Sequence, residues 1–120
     1  MKAPSAPLLA LIQGVFYAAT GLWALVDLDS FMAVTGPKTD RWLVKTVGVL
    51  VTVIGAVLLF AWRRRAVPLE VALLAVASAL SLAAIDVVYV SNGTISPIYL
   101  LDAVAEVGLV LAWMPAVRHG

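Results

Sequence analysis

Asp40-Arg41-Trp42-Leu43-Val44-Lys45-Thr46-Val47-Gly48 opens the second of four long apolar runs, and its reading decides the fold. Charge gives way here to an apolar stretch that continues to Trp62 and stops at Arg63-Arg64-Arg65. A span needs about 20 mostly apolar residues, and this run has them. Trp42 and Trp62 mark its two ends, as expected where hydrocarbon meets headgroups. Lys45 is the only lysine inside any of the apolar runs. A lone ammonium at that depth is costly and is expected to face the protein interior with a partner. Asp86, Asp102 and Glu106, in later runs, are the acids available to it.

Three further runs meet the same length criterion: Leu8 to Val26, Val67 to Val90 and Ile98 to Val117. The chain has 120 residues, 63% hydrophobic and 12% charged. A soluble domain carries roughly a quarter charged residues, so this composition calls for lipid as the solvent. Mean hydropathy is +1.05. Backbone polar groups in hydrocarbon must be satisfied internally, which makes the runs helices. The fold class expected is all-α: an integral membrane, antiparallel bundle of four transmembrane helices, with residues 1–120 a single membrane domain. The first run resembles a secretory signal in outline. Its length, Trp23 near its end and the lack of a small-x-small site read instead as a retained span.

Between the runs, residues 27–40 read as a loop or partly interfacial segment, with Phe31, Met32 and Val34 against the membrane surface. Gly36-Pro37 is a turn signal, and Thr39 or Asp40 can cap the second long helix. Pro68 is expected in the first turn of the third. Lys2, the triple arginine and Arg118 fall on one side of a four-span arrangement, and Lys38 and Arg41 on the other. Basic residues in short loops stay on the cytoplasmic side. Both termini are therefore expected in the cytoplasm and the 27–40 and 91–97 loops outside.

At about 100° per residue, each helix gathers its polar and small residues on a stripe. The first carries Gln13, Tyr17, Thr20, Ala24 and Asp27. The second carries Lys45, Gly48, Thr52 and Gly55. The third carries Ala72, Ala75, Ala79 and Asp86. The fourth carries Asp102, Glu106, Leu109 and Trp113, with Ala105, Gly108 and Ala112 on the adjoining face. Small residues let membrane helices approach closely, so the stripes mark contact faces. Depth adds a constraint at about 1.5 Å of rise per residue. Lys45, Asp86 and Asp102 each lie about one turn below the outer end of their helix, and Glu106 one turn deeper, level with Tyr17 and Thr20.

The expected pocket is therefore Lys45, Asp86, Asp102, Glu106, Tyr17, Gln13 and Thr20, in the outer half of the bilayer. Carboxylates held close in low dielectric cannot all be charged; Glu106, the deepest, is expected to keep its proton, and Lys45 to pair with Asp86 or Asp102. A static ion-pair network fixing helix register explains the same residues equally well. The sequence holds no cysteine, and its one histidine, His119, is next to the C-terminus. Thiol chemistry and a buried histidine metal site are excluded. No phosphate-cradling loop, metal-ligand spacing or nucleophile elbow is present. No catalytic residue, metal or cofactor is assigned, and a net charge of +1 gives no reason to propose nucleic acid.

The segment from Phe31 to Gly48, with its Gly36-Pro37-Lys38-Thr39-Asp40-Arg41-Trp42-Leu43-Val44-Lys45-Thr46-Val47-Gly48 core, resembles a stretch of small uncharacterised bacterial four-helix membrane proteins. Gln13, Gly21 and Trp23 extend the likeness, which covers roughly the first half of the chain. It implies a multi-pass protein of the bacterial cell inner membrane and brings no activity with it. Three functional readings follow. The first is a pocket that binds or transports a proton, a cation or a small amphipathic ligand. The second is a structural or accessory subunit packed within a larger membrane complex. The third is an enzyme on a lipophilic substrate, with Asp102 and Glu106 as acid and base; the balance is against an enzyme. Membrane lipid is the partner common to all three, and a second copy or a membrane-protein partner stays open.

Overall fold

The computed structural model describes residues 5–36 and 41–119. Among them the chain is all-helical, with four helices long and apolar enough to cross a membrane. These are α1 (Ala6–Val26), α3 (Arg41–Arg64), α4 (Leu69–Ser91) and α5 (Tyr99–His119). A shorter helix, α2 (Leu28–Thr35), lies between the first two. The molecule measures 43 × 28 × 22 Å, long enough to cross a hydrocarbon core of about 30 Å. The protein is a multi-pass membrane bundle.

The helix ends follow from local chemistry. Ser5 caps α1, its hydroxyl accepting from Leu8 N at 3.3 Å, with a proline in the first turn where no hydrogen bond is lost. At Asp27 the chain turns, and Asp27 Oδ1 accepts from Ser30 N at 3.2 Å. One residue thus ends α1 and caps α2. The segment expected as a loop is in its described part an eight-residue helix, because that cap and the apolar Leu28, Phe31 and Met32 give it a start and a face to bury. The expected cap at Thr39 or Asp40 lies outside the described residues. At the far end of α3, Arg65 takes φ 56°, and Ala66 N reaches back to Ala61 O at 3.3 Å. This is a left-handed helix stop, with Arg63 and Arg64 at the negative end of the helix dipole. Pro68 stands before α4 at its cap position, one residue earlier than the sequence suggested.

The helices pack as two antiparallel pairs. In the first, α1 and α3 are zipped by glycines. A Cβ built on Gly55 would lie 2.6 Å from Ala18 N and 2.9 Å from Gly14 O. One built on Gly48 would lie 3.2 Å from Gly21 O, and one on Gly21 would strike the Thr52 hydroxyl. Backbone therefore meets backbone at two levels, seven residues apart on each helix, which only glycine permits. Thr52 accommodates this by donating its hydroxyl to Gly48 O in its own helix at 2.7 Å. In the second pair, α4 turns its alanine stripe, Ala72, Ala75, Ala79 and Ala83, inward, and α5 answers with Ala103, Glu106, Val110 and Trp113. The expected small face of α5 is not used throughout. Gly108 has nothing within 4 Å, because the larger Val110 and Trp113 set the helix's rotation.

The pairs meet most closely at the end that holds the termini. Leu9 and Ala10 of α1, Leu58 of α3, Ala72 and Ala75 of α4 and Trp113 of α5 form one buried cluster. Towards the α2 end the pairs diverge around a cavity.

Candidate functional site

The floor of the cavity is a hydrogen-bonded set that ties the two pairs together. Trp113 Nε1 donates to Gln13 Oε1 at 2.7 Å, and Gln13 Nε2 donates to Ala75 O at 3.0 Å. Gln13 is fully buried and also lies against the Tyr17 hydroxyl. One turn towards α2, the Tyr17 hydroxyl donates to Glu106 Oε1 at 2.7 Å. Asp102, one further turn along α5, lies beside both Glu106 and Asp86. The three carboxyl groups therefore adjoin one another, delivered by α4 and α5.

Asp86 is the unusual member. It is 5% exposed, and its Oδ2 has no hydrogen-bond partner. Among the described residues it is the one buried side-chain oxygen or nitrogen left so. A buried unpaired acceptor costs about 1–3 kcal/mol, and such an atom on a cavity wall marks where a donor is wanted.

The cavity above this set has a volume of about 610 Å³, is open along part of its boundary and touches all five helices. Tyr17, Thr20, Asp86, Asp102 and Glu106 line one side. Phe16, Val47, Val51, Leu82 and Ile85 make most of the rest apolar. Thr20 donates its hydroxyl to Phe16 O at 2.8 Å, so towards the cavity it offers lone pairs. A volume between about 300 and 1,000 Å³, apolar with a few convergent polar groups, is the usual form of a small-molecule site. Compared with known families, with curated proteins and with solved structures, the chain finds no match.

Five of the seven residues expected from the sequence therefore share this wall. Gln13 does not line it; it lies beneath and joins the halves. Lys45 is a correction. It is exposed, does not line the cavity and forms no ion pair with Asp86 or Asp102. The reason is the glycine zipper. Gly48 and Gly55 must face α1 at backbone contact, and this fixes the rotation of α3 so that Lys45 points away from α4 and α5. The described residues hold a single ion pair, Arg41 to Asp29 at 3.0 Å, on the surface at the α2 end. No described basic side chain stands against the three acids.

Sequence reasoning missed the roof. Trp23 Nε1 donates to Ser30 Oγ at 2.9 Å, and its ring meets Phe31 edge-on at 5.2 Å between centroids. This holds α2 over the end of α1, with Phe31, Val34 and Thr35 lining the cavity. Trp23 and Phe31, one turn either side of Asp27, were the available signal.

Proposed function

We propose that this is a membrane binding protein or carrier whose cavity at the α2 end takes a small cationic amphiphile. Asp86 carries the reading: a carboxyl oxygen, buried and without a partner, on the wall of a cavity large enough for a ligand. Asp102 and Glu106 adjoin it, and no described cation neutralises the three. A fixed ion-pair network loses its support with Lys45 turned away. A cationic head donating to Asp86 and Asp102 supplies both the missing donor and the missing charge. The apolar walls suit a hydrocarbon body better than an inorganic ion, which would need six or more oxygen ligands or a retained water shell.

The triple arginine supports an orientation in a bacterial inner membrane with both termini on the cytoplasmic side and the α2 end outside, in which the site serves the outer half of the bilayer. The test is binding to protein in lipid nanodiscs by decylammonium, with decanol as the uncharged analogue and methylammonium as the headgroup alone. Decylammonium is expected to bind saturably and at least tenfold more tightly than either. Asp86→Asn is expected to remove most of that advantage without lowering the melting temperature. Equal binding of decanol, or an Asp86→Asn protein with full affinity, would sink the proposal.

A further inference from the structure

The geometry points to a cavity that exchanges its ligand sideways with the lipid leaflet, not through its outer end with water. This rests on the reading above and narrows it, since a ligand arriving by that route must already be dissolved in the membrane. The first observation is how the outer end is covered. The roof helix α2 is fixed at its start by the Asp27 cap and the Trp23–Ser30 hydrogen bond. The Arg41–Asp29 pair ties its first turn to α3. At its far end, a Cβ built on Gly36 would lie 3.2 Å from Ser96 Cβ, so the helix runs onto the turn between α4 and α5. The roof thus spans from one helix pair to the other. A groove of about 360 Å³ lies over this junction, lined by Thr35, Gly36 and residues 93–97; Thr35 and Ile95 line both it and the cavity.

The second observation is what lines the sides. Leu43, Val34 and Ile98, nearer the α2 end, line the cavity and are exposed, all of them apolar. On the sides Val47 on α3, Ile85 on α4 and Leu101 on α5 also line it and are 46%, 51% and 70% exposed. Side chains that face the cavity and the outside together form its rim. These three lie on membrane-spanning helices, so that rim faces hydrocarbon. It is apolar at each named position and offers a hydrated ion nothing to replace its water. An alkyl chain crosses it without loss. Asp86 and Glu106 are buried inward of this rim.

Two measurements test this. The chain has no cysteine, so introduced thiols act alone. A nitroxide on Val51→Cys, a half-buried position lining the cavity, is expected to collide freely with oxygen, which dissolves in lipid, and hardly at all with a water-soluble nickel chelate. Strong relaxation by the chelate would overturn lateral exchange whatever the ligand proves to be. The second measurement locks the roof with a Gly36→Cys/Ser96→Cys disulfide. Thr35→Cys/Ser96→Cys is a companion pair that avoids the positive φ of Gly36. The rate at which decylammonium enters and leaves should change less than twofold on oxidation, whereas Leu101→Trp at the rim should slow it at least fivefold. Exchange stopped by the locked roof would overturn the route while leaving the binding reading intact. Failure of decylammonium to bind the unlocked protein at all would remove that reading, and this inference with it.

Discussion

The Tyr17 hydroxyl and the Glu106 carboxyl meet at 2.7 Å inside the bundle, joining the first and last membrane-spanning helices one turn above its most tightly packed region. Both side chains are almost fully buried. Hydrogen bonds between membrane helices contribute about 0.6 kcal/mol on average and up to about 1.7. Glu106→Gln keeps an oxygen to accept from Tyr17 but removes the ionisable group. It is expected to fold with nearly unchanged stability and to bind decylammonium more weakly. Tyr17→Phe is expected to do the reverse in part, losing about 1 kcal/mol in unfolding by detergent titration. If the two variants behave alike in both assays, Glu106 acts through packing alone.

Lys45 gives a sharper contrast. Removing one partner of a buried ion pair costs about 3–5 kcal/mol, because the other charge is left unmatched. Lys45 is exposed and unpaired with the acids, so Lys45→Met is expected to change stability by no more than about 0.5 kcal/mol. Decylammonium affinity should be unchanged. A loss of several kcal/mol would restore the ion-pair network as the reason for the acids.

The four spans, the stripes and the shared level of the acids along their helices were legible because each depends on one helix at a time. Hydrophobic run length gives the spans, and a period of 3.6 gives the stripes. The alanine stripe ending at Asp86 is seen in the structure as the sequence suggests. What failed depends on two helices together. Lys45 shares a stripe with Gly48, but a stripe is about 100° wide, and close contact at Gly48 and Gly55 selects only its centre. Lys45 falls at the edge and turns out to the surface. Gly108 fails in the same way, since the wheel cannot say which of two adjoining faces the bulkier Trp113 will carry inward. The roof was illegible because a short helix over a cavity is held by single contacts, such as Trp23 to Ser30, which have no period.

The glycine zipper predicts its own asymmetry. A Cβ at Gly55 would meet the backbone of Ala18 and Gly14, which cannot rotate aside. Gly55→Ala is expected to force α1 and α3 apart and cost about 1–3 kcal/mol, the range for overpacking a close contact. Gly108→Ala meets nothing within 4 Å and is expected to be neutral or slightly stabilising. Equal destabilisation by the two, measured by unfolding under the same detergent conditions, would mean that α1 and α3 are not in backbone contact.

Gln13 is the clasp between the two pairs, and its removal should affect both stability and the cavity. It accepts from Trp113 Nε1 at 2.7 Å and donates to Ala75 O at 3.0 Å, all in the buried interior. Gln13→Leu fills a similar volume but leaves the indole N–H without an acceptor, at a cost of about 1–3 kcal/mol. Ala75 O keeps its place in the helix ladder and loses only its second donor, so the indole dominates. Trp113→Phe in the Gln13→Leu background removes that orphaned donor. The pair of changes together is therefore expected to cost less than the sum of the two made singly. Coupling of about 0.5–2 kcal/mol in a double-mutant cycle is the signature of a direct bond. Strict additivity would place the contribution of Gln13 in its apolar contacts and leave the two helix pairs held by the Leu9 to Trp113 cluster alone.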